Sequence, residues 1–273
     1  METRGEEGFG VAFLGYGRMA QAISRGLDRH GLVPYARQAA YDVLGDNLAR
    51  LSAQRGFKAA AGGRDLAGLS PTIIVAVKPH QVRGALEEIR PALSDQLVIS
   101  IAAGVTLGTL ASLLPSGAGL VRVIPNLPAL VGQGMTLICV PDGSPPASLD
   151  KAKAIFGAVG SVAVLAEDHF NEGTAVSGSG PAYFFLVMEA MIRGAVRLGL
   201  TWDVARELVL KTALGSAQAA IDLPDLSLAE LRDQVTSPGG TTAEGLLELE
   251  KGSITAVIHQ ALKAASDKGS KLA

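Results

Sequence analysis

The chain is poor in residues that staple, chelate or stack. Its 273 residues include one cysteine, four histidines and one tryptophan, and aromatic residues make up 4%. The lone Cys139 excludes an intrachain disulfide and any cysteine-cluster metal site. It lies in the apolar run 135–140, where a buried, inert thiol is the ordinary expectation. His30, His80, His169 and His259 have no spacing that pairs them as ligands, so no metal is expected. So few rings offer no stacking platform for bases. The formal net charge is −2 and no basic stripe stands out, which argues against a nucleic-acid partner, since such binding rests first on phosphate neutralisation. Uninterrupted apolar runs such as 72–77 are too short to span a bilayer. The opening stretch 1–8 is polar and lacks the apolar centre of a secretory signal. Neither a membrane nor export is expected, and the cytoplasm is the default location.

What the chain does have is apolar residues (48%) and 33 glycines, enough for a sizeable core and many tight turns. Short apolar segments at 9–14, 38–41, 57–60, 72–77, 96–102 and 120–124 alternate with helix-like stretches at 19–27, 46–54, 82–93 and 106–114. Alternation of this kind implies a parallel, doubly wound α/β sheet of Rossmann type, covered on both faces. Segments 135–140 and 161–165 extend it at an edge. Beyond residue 166 no convincing strand follows and helical periodicity runs to the end. Two domains are therefore expected, a dinucleotide-binding domain over 1–166 and an all-α domain over 167–273. Ser227 with Glu230, and Thr241 with Glu244, have the spacing of capping boxes.

Gly15-Tyr16-Gly17-Arg18-Met19-Ala20 stands between the first strand and the first helix. In such a GxGxxA pattern the first glycine permits the turn, the second lets a pyrophosphate approach the backbone, and the small third residue lets helix and strand pack closely. Alone the pattern is weak, but at the start of a βαβ series it points to a dinucleotide. Val77, Lys78 and Pro79 follow one central strand, and Ala102 and Ala103 follow the next, so both tails are expected beside the cofactor. Lys78 reads equally as a solvated loop cation. Asn126, bracketed by Pro125 and Pro128, reads as an amide held toward the nicotinamide carboxamide or the substrate, with a plain turn asparagine as the alternative. Asp42 lies near the spacing of an acid that binds an NAD ribose, or serves as a turn residue before the next helix. Ser177 to Tyr183 (SGSGPAY) interrupts the helical pattern with a break or a new helix start. The segment Thr236, Ser237, Pro238, Gly239, Gly240, Thr241, Thr242 joins two helices and offers N–H groups and hydroxyls, a neutral cradle for a carboxylate.

Taken together, GYGRMA, AVKP, RVIPNLPALVGQGMT, SGSGPAY and LRDQVTSPGGTTAEGLLELE closely resemble the signatures of the pyrroline-5-carboxylate reductase family, in the family's order and over nearly the whole chain. The resemblance implies reduction of 1-pyrroline-5-carboxylate to L-proline with NADPH, NADH being the second candidate. It implies a Rossmann domain followed by a helical dimerisation domain, in a homodimer that often assembles further, up to decamers. It places Thr242 near the ring nitrogen as the catalytic hydroxyl, with Ser237, Gly239, Gly240 and Thr241 around the substrate. Two departures stand out: Leu127 replaces the family's usual threonine, and Arg18 a usual asparagine or other polar residue. A 3-hydroxyacid dehydrogenase-like enzyme would share the layout but needs a base, often a lysine on the first long C-terminal helix. There is no lysine between Lys153 and Lys211. A non-catalytic dinucleotide sensor would bind the cofactor without needing the threonine-rich segment.

Overall fold

The structure, a computed structural model, describes residues 10–271; the polar opening 1–8, and Phe9 at the head of the first apolar run, lie outside the described residues. Eight strands form one sheet in the order β3-β2-β1-β4-β5-β6-β7-β8. They are β1 (Val11–Leu14), β2 (Gln38–Tyr41), β3 (Lys58–Ala59), β4 (Thr72–Val75), β5 (Leu97–Ser100), β6 (Gly119–Ile124), β7 (Gly134–Cys139) and β8 (Gly160–Val164). The helices along this part of the chain are α1 (Arg18–Arg29), α2 (Gly45–Arg55), α3 (Gly63–Leu69), α4 (Val82–Ile89), α5 (Leu107–Leu113), α6 (Pro146–Gly157) and the short α7 (Phe170–Gly173).

Successive strand residues point to opposite faces of a sheet, and here both faces are covered. Ala12 and Leu14 pack with Leu66 of α3, Leu86 of α4 and Leu110 of α5. Val11 and Phe13 pack with Ile23 of α1, Leu48 of α2 and Phe156 of α6. Two-sided burial is why these strands read as continuous apolar runs rather than alternating ones. Helices α3 and α6 were not expected from the pattern.

One step of the sheet departs from the parallel arrangement. β7 runs antiparallel to β6, with Arg122 opposite Cys139. The link between them is a 3₁₀ turn, Leu127–Val131, whereas a parallel crossover needs a dozen or more residues. The chain can only return alongside. β8 then pairs parallel to β7, with α6 lying between them in sequence.

The strands end at Val164, but this compact unit continues to Ser179 and takes up the chain again from Ala265. Phe170, fully buried in the sheet's core, ties α7 down. After α7 comes a wide turn of π type, Thr174–Gly178. Arg122 of β6 is 3% exposed, pairs with Glu167 at 2.6 Å and lies 4.6 Å from the centre of the Phe170 ring.

The second unit, Gly180–Ala264, is helical. It contains α8 (Gly180–Arg197), α9 (Trp202–Asp222), α10 (Leu228–Gln234), α11 (Thr241–Lys251) and most of α12 (Ile254–Ser270). Its buried core is small, built on Ile192, Ala205 and Val209. Phe184, Leu186, Leu214 and Ile221 are each more than 60% exposed. Ser227 and Glu230 form the expected capping box at the head of α10, with bonds of 3.2 and 2.7 Å. The second capping box does not form: α11 begins at Thr241 itself, behind an uncapped Gly240, so the Thr241 side chain is inside the helix and not at its cap. Within the helical stretch Glu167–Arg197 an 18-residue window reaches a mean hydropathy of 1.3, enough to cross a membrane by length and composition alone. Small and polar residues interrupt it, so it escapes a search for unbroken apolar runs.

Candidate active site

The register of the sheet sets the geometry. Leu14 pairs with Tyr41 on one side and Val75 on the other, Val75 with Ser100, and Ser100 with Arg122. The carboxyl ends of these strands therefore emerge in one row. At β1 the order turns, with β2 and β3 to one side and β4 to β6 to the other. Loops diverge at such a switch point and leave a crevice. A cleft of about 820 Å³ lies there, lined by the glycine loop and the tails of β2, β4, β5 and β6, a size suited to a cofactor.

The two loop glycines do different work. Gly15 has φ +89°, and a Cβ there would meet the carbonyl carbon of Ala76 and a methyl of Val77, both at 2.9 Å. Only glycine lets the turn close against the end of β4. At Gly17 a Cβ would meet nothing within 4 Å. That residue lines the cleft with Arg18 and Met19, and α1 starts behind it with no side-chain cap. Uncapped N–H groups at a helix start, facing an open cleft beside an exposed arginine, fit a pyrophosphate. Ala20, 1% exposed, is packed inward and does not line the cleft.

Tyr16, expected beside a cofactor, lies in the glycine loop but does not line the cleft. Its side chain is 3% exposed and packs between Phe13 and Phe57, away from the cleft. Its hydroxyl lies 2.7 Å from Ser24 Oγ, and the single Ser24 hydroxyl hydrogen is donated to Gln38. Tyr16 must therefore be the donor to Ser24. Burial pushes its phenol above the usual range, with Ser24 and Arg55 pulling the other way. The backbone of Tyr16 meets Asp42 instead: its N–H donates to Asp42 Oδ2 at 2.7 Å, while Leu44 N–H donates to Oδ1 at 2.9 Å. The carboxylate is thus fixed at the carboxyl end of β2, in the cleft wall, with a lone pair left on each oxygen.

Comparison with known proteins decides the family. Residues 167–272 match the model described as pyrroline-5-carboxylate reductase dimerisation, and residues 10–104 the model described as NADP oxidoreductase coenzyme F420-dependent. A pyrroline-5-carboxylate reductase of Pseudomonas aeruginosa is 36% identical over 266 residues, 96% of this chain and 96% of that protein. The chain belongs to the pyrroline-5-carboxylate reductase family. The solved structure of a family member from Coxiella burnetii superposes with a TM-score of 0.91 at 35% identity, covering 98% of this chain and 99% of that one. A Plasmodium falciparum pyrroline carboxylate reductase, solved with NADP bound, gives 0.88 at 31% identity and the same coverage.

Of the other residues singled out in the sequence, Val77, Lys78, Pro79, Ala102 and Ala103 all line the cleft, Lys78 as an exposed residue. Asn126 does not. It is 8% exposed, and its amide is turned inward: Oδ1 accepts from Met135 N–H at 2.8 Å and Nδ2 donates to the Ser177 carbonyl at 3.0 Å. Its neighbours Pro125 and Leu127 face the cleft in its place. Ser237, Gly239, Gly240, Thr241 and Thr242 belong to the helical unit. There Gly239 has φ +69°, and Gly240 N–H closes a tight turn onto the Ser237 carbonyl at 3.0 Å. A Cβ on Gly240 would collide with the Ser237 side chain. The Thr236 hydroxyl is used within the loop, bonding the Arg232 carbonyl at 2.7 Å.

The sequence reading missed the Arg122–Glu167 pair, whose Oε1 also accepts Leu107 N–H at 2.6 Å and so anchors the head of α5. No local signal links residues so far apart. Cys139, beside this pair, is 2% exposed; burial first, then the charge of Glu167, pushes its thiol up to about 12. Among the described residues no three His, Cys, Asp or Glu side chains are grouped to hold a metal ion.

Proposed function

We propose that this chain reduces 1-pyrroline-5-carboxylate to L-proline, using NADPH with NADH as an effective competitor. The observation that carries the reading is likeness to a named reductase along nearly the full chain, 36% identity over 96% of its length. The cleft supplies the matching geometry. A cofactor bound there supplies the hydride.

The chain's own residues then have four tasks. The uncapped head of α1 and Arg18 hold the pyrophosphate. Asp42, already fixed by two backbone N–H groups, accepts from the adenosine ribose. The tails Val77 to Pro79 and Ala102 to Ala103 wall the nicotinamide side. In the helical unit, the uncapped start of α11 with Ser237, Gly239, Gly240 and Thr241 receives the substrate carboxylate. The Thr242 hydroxyl orients the ring nitrogen or relays its proton. An imine that enters protonated needs no strong base, which agrees with a neutral, donor-rich loop. The contribution of these groups is orientation and electrostatics.

The tension at Asp42 bears on the choice of cofactor. A 2′-phosphate beside a fixed carboxylate is repelled, whereas a ribose diol is not. The relative with NADP bound supports NADPH, and Asp42 supports a place for NADH.

The apolar faces of α8 and α9, left open around a small core, are covered in our reading by a second copy of the chain. The match to a dimerisation family supports that cover over lipid. Dimers assembling further, with decamers as one end point, and a cytoplasmic location complete the proposal.

The test is direct. Purified protein given pyrroline-5-carboxylate consumes NADPH or NADH and accumulates proline in equal amount. A folded preparation that binds cofactor and yields no proline removes the reading.

A further inference from the structure

Two sequence blocks far apart in the chain meet at one amide. Pro181 has no N–H, so the helical bond it would donate to the carbonyl four residues earlier, that of Ser177, cannot form. A half-buried carbonyl left this way is satisfied by a donor from elsewhere. Asn126 Nδ2 supplies it at 3.0 Å. The same side chain accepts Met135 N–H at 2.8 Å, so it spans from the head of β7 to the π-type turn Thr174–Gly178. The turn is otherwise held by its own bonds: Ser179 N–H to the Thr174 carbonyl at 2.9 Å, Thr174 Oγ1 to Phe170, and Ser177 Oγ to Gly173. Where the turn crosses the end of β6 it has glycine: a Cβ on Gly178 would touch Ile124 at 3.7 Å and Thr174 at 3.1 Å. Directly after Ile124 come Pro125 and Leu127, which line the cleft on either side of the inward-facing Asn126.

We infer that Asn126 is a positioning residue for the imine reduction: it replaces the bond that Pro181 cannot make and so locks the cleft wall at Pro125 and Leu127 against the Thr174–Gly178 turn. The inference rests on the proposed reduction and concerns the nicotinamide side of the cleft. The pyrophosphate loop and Asp42 lie across the sheet from it, at β1 and β2.

The test uses two variants of the full-length enzyme. Asn126→Asp keeps an acceptor for Met135 N–H but sets a carboxylate oxygen against the Ser177 carbonyl. At high pH it lowers kcat/KM for pyrroline-5-carboxylate by roughly 10 to 100-fold, the scale of a misplacement of about 1 Å in a reacting geometry. Cofactor affinity, read by fluorescence titration, stays within about twofold of wild type. When the introduced acid is protonated it donates again, so activity relative to wild type recovers between about pH 8 and about pH 6. Compared with wild type at the same pH, hydrogen exchange in 174–178 is faster at the high end and returns to the wild-type rate at the low end. Asn126→Ser, which carries no charge and does not span the gap, loses activity without any recovery; measured well below its own melting temperature, it covers the case in which the Asp variant does not fold. A pH-independent deficit in Asn126→Asp, or wild-type kinetics in both variants, overturns the assignment while leaving the reductase reading intact. Wild-type enzyme that binds cofactor without making proline removes that reading instead.

Discussion

Gly15 and Gly17 stand two residues apart in one loop, and the structure separates what each contributes. An alanine at position 15 would sit at φ +89° with its methyl 2.9 Å from the Ala76 carbonyl carbon and from Val77. The left-handed conformation costs about 1–2 kcal/mol for a residue with a Cβ, and overpacking against backbone adds about 1–3 kcal/mol. Gly15→Ala should therefore destabilise the Rossmann unit by about 2–5 kcal/mol and lower its melting temperature by several degrees. Gly17→Ala meets no atom within 4 Å at an ordinary φ of −71°. Alanine is a poorer N-cap than glycine by up to about 1 kcal/mol. Its lower unfolded-state entropy returns about 0.4–1 kcal/mol. The two nearly cancel, so stability should be unchanged. In the proposed placement the methyl stands where the phosphates approach the α1 N–H groups, and losing one charge-assisted bond of about 1.5–3 kcal/mol should raise the cofactor Kd roughly 10 to 100-fold. Thermal melts beside fluorescence titration of NADPH and NADH distinguish the two. Wild-type cofactor affinity in Gly17→Ala would mean that the dinucleotide does not run over this loop, and the placement of the site would fail.

Three further outcomes are expected. Thr242→Ala should lower kcat/KM for pyrroline-5-carboxylate by roughly 10 to 100-fold with cofactor affinity nearly unchanged; wild-type kinetics would leave the hydroxyl without a catalytic part, and lost cofactor binding would move the loop's role elsewhere. Asp42→Ser should shift selectivity toward NADPH by removing the fixed negative charge that we propose meets the ribose; an unchanged ratio of the two kcat/KM values denies Asp42 any selecting role. With its thiol pushed up to about 12 and 2% exposed, Cys139 should resist thiol reagents in the folded enzyme at about pH 8 and react fully after unfolding; rapid labelling of the native protein would contradict its burial.

Much of the fold was legible because a doubly covered parallel sheet writes itself as unbroken apolar runs. β2 falls at 38–41 as expected, and the other strands begin or end within a few residues of their runs. The antiparallel β7 was not legible, since an apolar run carries no direction; the brevity of the Leu127–Val131 link decides it. Helix α3 (GRDLAGL) is short and holds two glycines, and α6 opens on Pro145 and Pro146, so neither shows a clear helical stripe. At the site, the tight turn at Gly15 against the end of β4 follows from residue type and spacing. Tyr16 and Asn126 show what spacing leaves open: motif position brings a residue to the carboxyl end of a strand, and only packing tells which way its side chain turns. Both turn inward, Tyr16 to Ser24 and Asn126 to Ser177. The prolines around Asn126 were read as aiming it at a ligand, when the orphan created by Pro181 supplies its partner.

The central claim is hydride transfer from nicotinamide to the imine carbon of pyrroline-5-carboxylate, and isotope tracing addresses it most directly. Reduced cofactor deuterated at the transferring position of the nicotinamide, incubated with enzyme and pyrroline-5-carboxylate in ordinary water, should give L-proline with one deuterium, at C5, per cofactor consumed. Proline without the label, or cofactor oxidation without proline, would contradict the account.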